Sequence, residues 1–441
     1  MNTLATMPKY ETYKDSKVLN IGLIPQHWNV KKLKFMTSVN SNSLSENSPS
    51  NMLLEYVDIG SVSFEYGIEK TESHIFKEAP SRARRLAQTG DVVVSTVRTY
   101  LKAIAYVDSE ASKYVYSTGF AVISPKGNLS SDYLGYLVKS NSFTHQVDLV
   151  AKGMSYPAIN TTELSNLYLL DVPESEQHLI AKFLNHKIAN IDEAIIIKEQ
   201  QINLLKERKQ IVIQQAVTQG LDPNVSMKDS GVDWLGKIPK HWDVKRLKYV
   251  LEERSERSKT GEEPLLMMSQ VHGLVVRSEY HEKAEVSASN IDNKIVYEND
   301  LVFNKLKPHL GVFFKSSIPF KGIVSPDYAV YRCKDHIKDA KYLEILFRHP
   351  SYIEQFIIRA TGIVEGLIRL YTDDLFDMSV PVAPSEEQEK ILNYIDIKGK
   401  ELDQVISIQL MQIEKLKEYK TALIDRAVTG KIKITPEMVE D

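Results

Sequence analysis

Two histidines sit in matching Ile-Pro-x-His-Trp pentapeptides, Ile24-Pro25-Gln26-His27-Trp28 and Ile238-Pro239-Lys240-His241-Trp242. A repeated imidazole is a natural candidate for proton transfer. Each copy runs into Val-Lys-x-Leu-Lys, however, and reads as a structural corner with Trp28 and Trp242 packed beneath it. Asp91 and Asp300 hold matching places before apolar runs and read as turn residues rather than as nuclease carboxylates. The sequence contains no G-x-x-x-x-G-K-[ST], no G-x-G-x-x-G and no Asn/Asp-Pro-Pro-aromatic tetrapeptide, and it lacks H-E-x-x-H and G-x-S-x-G. The 11 histidines do not fall at metal-ligand spacing, and the single cysteine, Cys333, excludes an internal disulfide and a cysteine zinc site. No catalytic residue, metal site or cofactor of its own is expected, and the chain reads as a non-enzyme.

A second chemistry, the grip on a polyanion, has more support. Lys77, Arg82, Arg84, Arg85, Arg98 and Lys102 face only Glu78 and Asp91 in that stretch, with Tyr100 and Tyr106 among them. Lys305, Lys307, Lys315 and Lys321 lie beside His309, with no acid from 301 to 326. Lys152 and Tyr156 sit around Gly153, and Arg359 and Arg369 flank the loop Thr361-Gly362-Ile363. Such groups hold phosphates, and a bidentate arginine reads guanine edges. For one residue alone the competing reading is a solvated charged face. The clusters fall at corresponding places in two halves of the chain, which favours binding.

The elements that position these residues come from a duplication. Residues 14–36 and 228–250 align without a gap at an offset of 214 (228 − 14), with 13 identities in 23 positions. Residues 173–218 and 384–429 align at an offset of 211 (384 − 173), with 18 identities in 46. The chain is therefore one plan written twice, a globular unit followed by a long helix. The blocks are a loose leader (1–13), a first unit (14–172), a spacer helix (173–220), a second unit (221–383), a second spacer helix (384–430) and a tail (431–441). Strand candidates are 53–60, 91–96 and 120–125 in the first unit and 264–271, 300–306 and 327–332 in the second, each set followed by a helical stretch. Tyr133 matches Tyr342, Gly153 matches Gly362, and the middles of the units otherwise diverge.

In the first helix a 4,3 spacing selects Leu184, Ile188, Ile191, Ile195, Lys198, Ile202, Leu205, Lys209, Val212 and Ala216. The second gives Ile395, Gly399, Leu402, Ile406, Gln409, Ile413, Leu416, Lys420, Leu423 and Ala427. Both sets are mostly apolar, the pattern of a coiled-coil seam, and their polar members coincide: Lys198 with Gln409, Lys209 with Lys420. Each helix opens after a proline with an acidic turn, at Pro173 and Pro384. A lone seam would leave an apolar stripe in water, so the two helices are expected to bury each other. Either orientation is compatible with the sequence, and the repeat favours antiparallel. Gly399 is expected to weaken the early turns of the second helix.

Bulk properties set limits. The 441 residues suffice for two or three domains, and 43% hydrophobic with 26% charged residues is ordinary for a soluble protein. No stretch approaches the roughly 20 apolar residues of a membrane span, the N-terminus has no apolar signal core, and the cysteine usage fits a reduced cytoplasm. The net charge of −3 gives no global basic field, so nucleic acid would have to be met by local patches or with charge from partners.

Together these features resemble the specificity subunit of type I restriction–modification systems. The residues carrying the resemblance are the two Ile-Pro-x-His-Trp corners, Pro173 to Leu184 with Glu176-Gln177, Pro384 to Ile395 with Glu387-Gln388, and Ala216-Val217-Thr218 with Ala427-Val428-Thr429. The resemblance spans roughly 14 to 430. It implies an α+β fold in which two target-recognition domains alternate with two long helices packed as an antiparallel coiled coil around an internal pseudo-twofold. Each domain would read one half of a split double-stranded DNA site, and the helices would set the gap. The partners implied are two modification subunits, carrying S-adenosylmethionine, and restriction subunits using ATP and Mg. Two other readings remain: a coiled-coil scaffold whose units bind proteins, and a stand-alone nuclease with an unrecognised site.

Overall fold

A computed structural model describes residues 4, 6–280, 290–362 and 368–440. It divides into two compact units. One comprises residues 1–199 and 410–441, and the other residues 200–409. Each unit thus contains a globular part and half of each long helix, so the compact units cut across the sequence blocks.

In the first unit, one antiparallel sheet has the order Ile104–Tyr106, Val92–Ser95, Phe120–Pro125, Thr37–Val39. Its central strand, Val92 to Ser95, is buried on both faces, which explains an uninterrupted run of valines where a half-exposed strand would alternate. A second sheet, Glu72–Ile75, Leu53–Val57, Val115–Ser117, Ala83–Leu86, contains one parallel pair. Val57, Tyr116, Phe120, Val93, Val122 and Ala105 close the core.

The second unit repeats the first sheet in the same order read from the other edge: Leu251–Glu253, Tyr328–Cys333, Leu301–Asn304, Phe313–Lys315. Phe303 and Phe313 stack at 4.0 Å in its core. The counterpart of the second sheet is instead two separate pairs, Leu266–Ser269 with Gly273–Val276 and Lys294–Val296 with Gly322–Val324. The duplication is therefore kept where the sheet meets the helices and lost beyond it.

Each helical stretch expected after the strands is two helices. Ser131–Leu137 and Asn141–Val150 are separated by Ser140, whose hydroxyl caps the second; Lys341–Leu346 and Pro350–Arg359 are separated by His349, whose ring caps the second. A cap residue with extended backbone ends one helix and starts the next, and this overrides the apolar periodicity.

The long helices are Glu174–Gln219 and Ser385–Val428, 46 and 44 residues, each close to 70 Å at about 1.5 Å per residue. In the first unit, Lys420 pairs with Asp192 at 2.6 Å and Lys198 with Gln412 at 2.5 Å. As one helix advances the other recedes, so the packing is antiparallel. In the second unit Lys209 pairs with Asp403 at 2.7 Å, the equivalent of Lys420 with Asp192 in the duplicated plan. Of the polar interruptions of the seam, Lys209 and Lys420 thus form ion pairs with the other helix and Lys198 a hydrogen bond to it. Of the seam residues, Ile191, Ile195, Ile202, Ile413 and Leu423 are buried, and Leu205, Val212, Leu402, Ile406 and Leu416 are half-buried. The second helix continues unbroken through Gly399, where a Cβ would lie 3.7 Å from Cε of Lys209.

The leader differs from the loose segment expected of it. In its described part Met7 is buried, Pro8 O accepts from Lys433 N, and Tyr10 donates to Glu176 at 2.6 Å. The tail contributes buried Ile432 and Ile434 to the same unit. At the end of the second helix Gly430 has φ +69°, and a Cβ there would stand 2.5 Å from Pro25 and 2.9 Å from Trp28. Both the left-handed turn and the tight approach require glycine.

Candidate nucleic-acid interface

The two corner histidines have a fixed structural task. His27 Nε2 meets Glu176 at 2.6 Å, and the indole N–H of Trp28, fully buried, donates to the same carboxylate at 3.2 Å. In the second unit His241 meets Glu387 at 2.7 Å and Trp242 donates to it at 3.0 Å. Each corner locks the start of its unit to the first turn of a long helix. Beside it, the amide of Gln177 donates to Val172 O, and that of Gln388 to Ala383 O, both at 2.7 Å. Asp91 accepts from Gln88 N and Asp300 from Tyr297 N, each closing a turn, while Arg254 also clamps Asp300 at 2.8 Å. Among the described residues no group of His, Cys, Asp and Glu could hold a metal, and no helix is long and apolar enough to cross a membrane.

Two loops of the first unit lie side by side. Residues 96–102 join two sheet strands through the turn Thr99–Leu101, and Thr96 N donates to Gly119 O at 2.8 Å. Residues 152–158 are closed by reciprocal 2.9 Å bonds between Lys152 and Ala158. Gly153 has φ +112°, and a Cβ there would press on Tyr156 O at 3.0 Å. Thr99 N donates to Pro157 O and Ile159 N to Thr96 O, tying the loops together. The Arg98 guanidinium lies 5.3 Å from the ring of exposed Tyr156. Tyr100 is exposed beside them, and Met154 projects fully into solvent. Arg82 joins this edge through Thr118 N, which donates to Arg82 O at 2.8 Å.

The second unit builds the same device. Residues 305–311 contain the turn Pro308–Leu310, Leu370 N donates to Lys305 O at 3.0 Å, and Thr361 and Arg369 exchange backbone bonds. Lys307 occupies the place of Arg98, and His309 that of Tyr100. Ile363, at the end of the expected glycine loop, lies outside the described residues.

Folding removes several expected contacts from this surface. The stretch 301–326 has no acid in sequence, but distant chain supplies them: Lys305 pairs with Glu253 at 3.3 Å, Lys315 with Asp339 at 2.8 Å and Lys321 with Glu263 at 3.3 Å. Lys152 pairs with Glu163 at 2.6 Å and Arg369 with Asp327 at 3.2 Å, and Arg359 is bonded to Gln355 on its own helix. Arg84 lies over Phe76 and donates to Ala83 O, while Arg85 is half-buried with its Nε shielded and unbonded. Among the described residues, no acid pairs with Arg82, Arg98, Lys102, Lys307 or His309. These, with Tyr156, are the groups left to meet an anion. The shortlist could not be read from sequence, because ion pairing across 52 residues (305 − 253) leaves no local signal.

Residues 25–207 match the family of type I restriction modification DNA specificity domains. A putative type I restriction enzyme MjaX specificity subunit of Methanocaldococcus jannaschii is 23% identical over 97% of this chain and 98% of its own length. The match to the family thus lies in residues 25–207, while the similarity to specificity subunits runs along nearly the whole chain. The MjaIX specificity subunit of the same organism is 23% identical over 97% of this chain and 99% of its own length. Among solved structures, the HsdS subunit of Thermoanaerobacter tengcongensis matches 93% of this chain and 98% of its own, at TM-score 0.52 and 20% identity. A chain from a structure concerned with complex assembly and conformational transition of a type I R-M system matches 92% of this chain and 98% of its own, at TM-score 0.67 and 20% identity. At that identity the likeness speaks for the fold, and it spans both units of the chain.

Proposed function

We propose that this non-catalytic specificity subunit reads a bipartite double-stranded DNA target, one half-site per unit, through the paired loops 96–102 with 152–158 and the loop 305–311 beside the Thr361–Arg369 bridge. The supporting observation is that, among the described residues, the same turn and bridging bonds recur in both units beside cations that no acid pairs with. Phosphates would be held by Arg82, Lys102 and Lys307, and base edges by Arg98, whose planar fork suits guanine. Aromatic surface at Tyr156 and Tyr100 would pack against the groove wall. The long helices would set the distance between half-sites. Nothing favours the scaffold reading, which leaves these cations without a task.

In this reading the subunit works in the cytoplasm with two modification subunits, which would bind S-adenosylmethionine and methylate flipped adenines, and with restriction subunits using ATP and Mg. Its net charge of −3 fits a DNA clamp completed by partners. The test maps methylated adenines in a host carrying the assembled system, before and after residues 14–172 are exchanged for another such unit. One half-site should change and the other persist. A change in both half-sites would end the two-reader model.

A further inference from the structure

A non-glycine residue at positive φ marks a backbone held against the preference of its side chain. Lys102, closing the turn Thr99–Leu101, has φ +46° and ψ +42°. At the corresponding place in the second unit, 209 residues on (311 − 102), Gly311 closes the turn Pro308–Leu310 at φ +58° and ψ +30°. The turn imposes the left-handed region in both units, and only the second uses the residue that adopts it freely.

The surroundings differ in the same sense. A Cβ at Gly311 would come within 2.7 Å of Ile353. In the first unit the helix Asn141–Val150 packs on the turn, and it carries Thr144 where the second unit has Ile353 (353 − 144 = 209). The position aligned with Ile353 thus holds a smaller residue in the unit whose turn ends in lysine. The ammonium of Lys102 finds no acid among the described residues, and its aromatic neighbour, Phe64, is 6.0 Å away, at the outer limit of a cation–π contact. Neither backbone preference nor internal pairing accounts for a lysine here.

We infer that Lys102 is kept in a strained turn for its charge, and that its ammonium grips a DNA backbone phosphate beside the first half-site. This rests on the DNA-reading function proposed above. A phosphate is the partner because lysine presents a point charge with rotatable donors and no plane to match a base edge. Reading bases falls to Arg98, on the other side of the same turn.

The test uses the complex assembled with its modification subunits and duplexes carrying the target mapped from methylated adenines. Lys102→Gly should raise the melting temperature by about 2–4 °C, by relieving the turn. It should also weaken binding roughly three- to tenfold, equally on all sequences, and lower the salt slope by about one. Lys102→Arg should keep the binding and the lower melting temperature. Unchanged affinity in Lys102→Gly, or a loss confined to one base position, overturns the phosphate assignment. An unchanged or lower melting temperature overturns the strain premise. A wild-type complex with no sequence preference sinks the functional reading itself, a result read independently of the variants.

Discussion

Trp28 donates its indole N–H to Glu176 on the first long helix at 3.2 Å, and Trp242 repeats the bond at 3.0 Å to Glu387 on the second, 211 residues further along the chain (387 − 176). Both tryptophans are fully buried, so removing the acceptor strands a donor away from water. Glu176→Ala should destabilise by about 2–3 kcal/mol in urea denaturation. Glu387→Ala should do less, because Tyr10 also donates to Glu176 and the corresponding residue in the second unit, Asn224, has no phenol. Equal losses in both variants would argue against a role for Tyr10 in the first corner.

Lys139 predicts a pH dependence. Burial first, then the nearby charge of Lys420, pushes its ammonium down to about 8. Between that value and the ordinary lysine range the unfolded chain holds a proton that the folded chain has released, so stability rises with pH across this window. Below pH 8 the full cost of a charged, poorly solvated ammonium is present. Its counterpart in the second unit, Arg348, is paired with Glu344 at 3.1 Å. Lys139→Met should therefore raise the melting temperature at pH 7 by a few degrees, on the order of 1–2 kcal/mol after allowing for partial exposure. It should also abolish the gain between pH 8 and 10. Parallel melting curves for the two proteins across this range would refute the assignment.

The cross-helix ion pairs are equivalent in plan but not in solvent exposure. Lys420 and Asp192 are 19% and 41% exposed, against 30% and 60% for Lys209 and Asp403. Screening weakens the more exposed pair. Double-mutant cycles should give a coupling of about 1 kcal/mol or more for Lys420 with Asp192 and under about 0.5 kcal/mol for Lys209 with Asp403.

On the proposed DNA face, unpaired and internally paired lysines should separate. Lys307→Ala should weaken binding and reduce the salt slope by about one. Lys305→Ala, which removes a partner of Glu253, should register in thermal unfolding instead. Titrations of both variants at several salt concentrations make the comparison, and a fall in slope for Lys305→Ala alone would reverse the assignment.

Inserting residues within the first long helix, at positions inside 184–216, should alter the gap between methylated adenines without altering either half-site. Methylation mapping of the insertion variants reads this directly.

What the sequence determined by itself is the part of the molecule that repeats. Local spacing and duplication carry the two corners, the helix starts after Pro173 and Pro384, and the seam with its polar interruptions at Lys209 and Lys420. These features rest on short-range periodicity or on identity between two aligned segments, and both survive in a linear string. Tertiary structure alone decided which cations remain free. Lys305, Lys315 and Lys321 looked available because no acid lies near them in sequence, yet Glu253, Asp339 and Glu263 reach them through folding. It likewise decided that Lys102 sits at positive φ where its twin is Gly311. Charge pairing and backbone strain depend on which distant segments the sheets bring together, and neither leaves a mark in the order of residues.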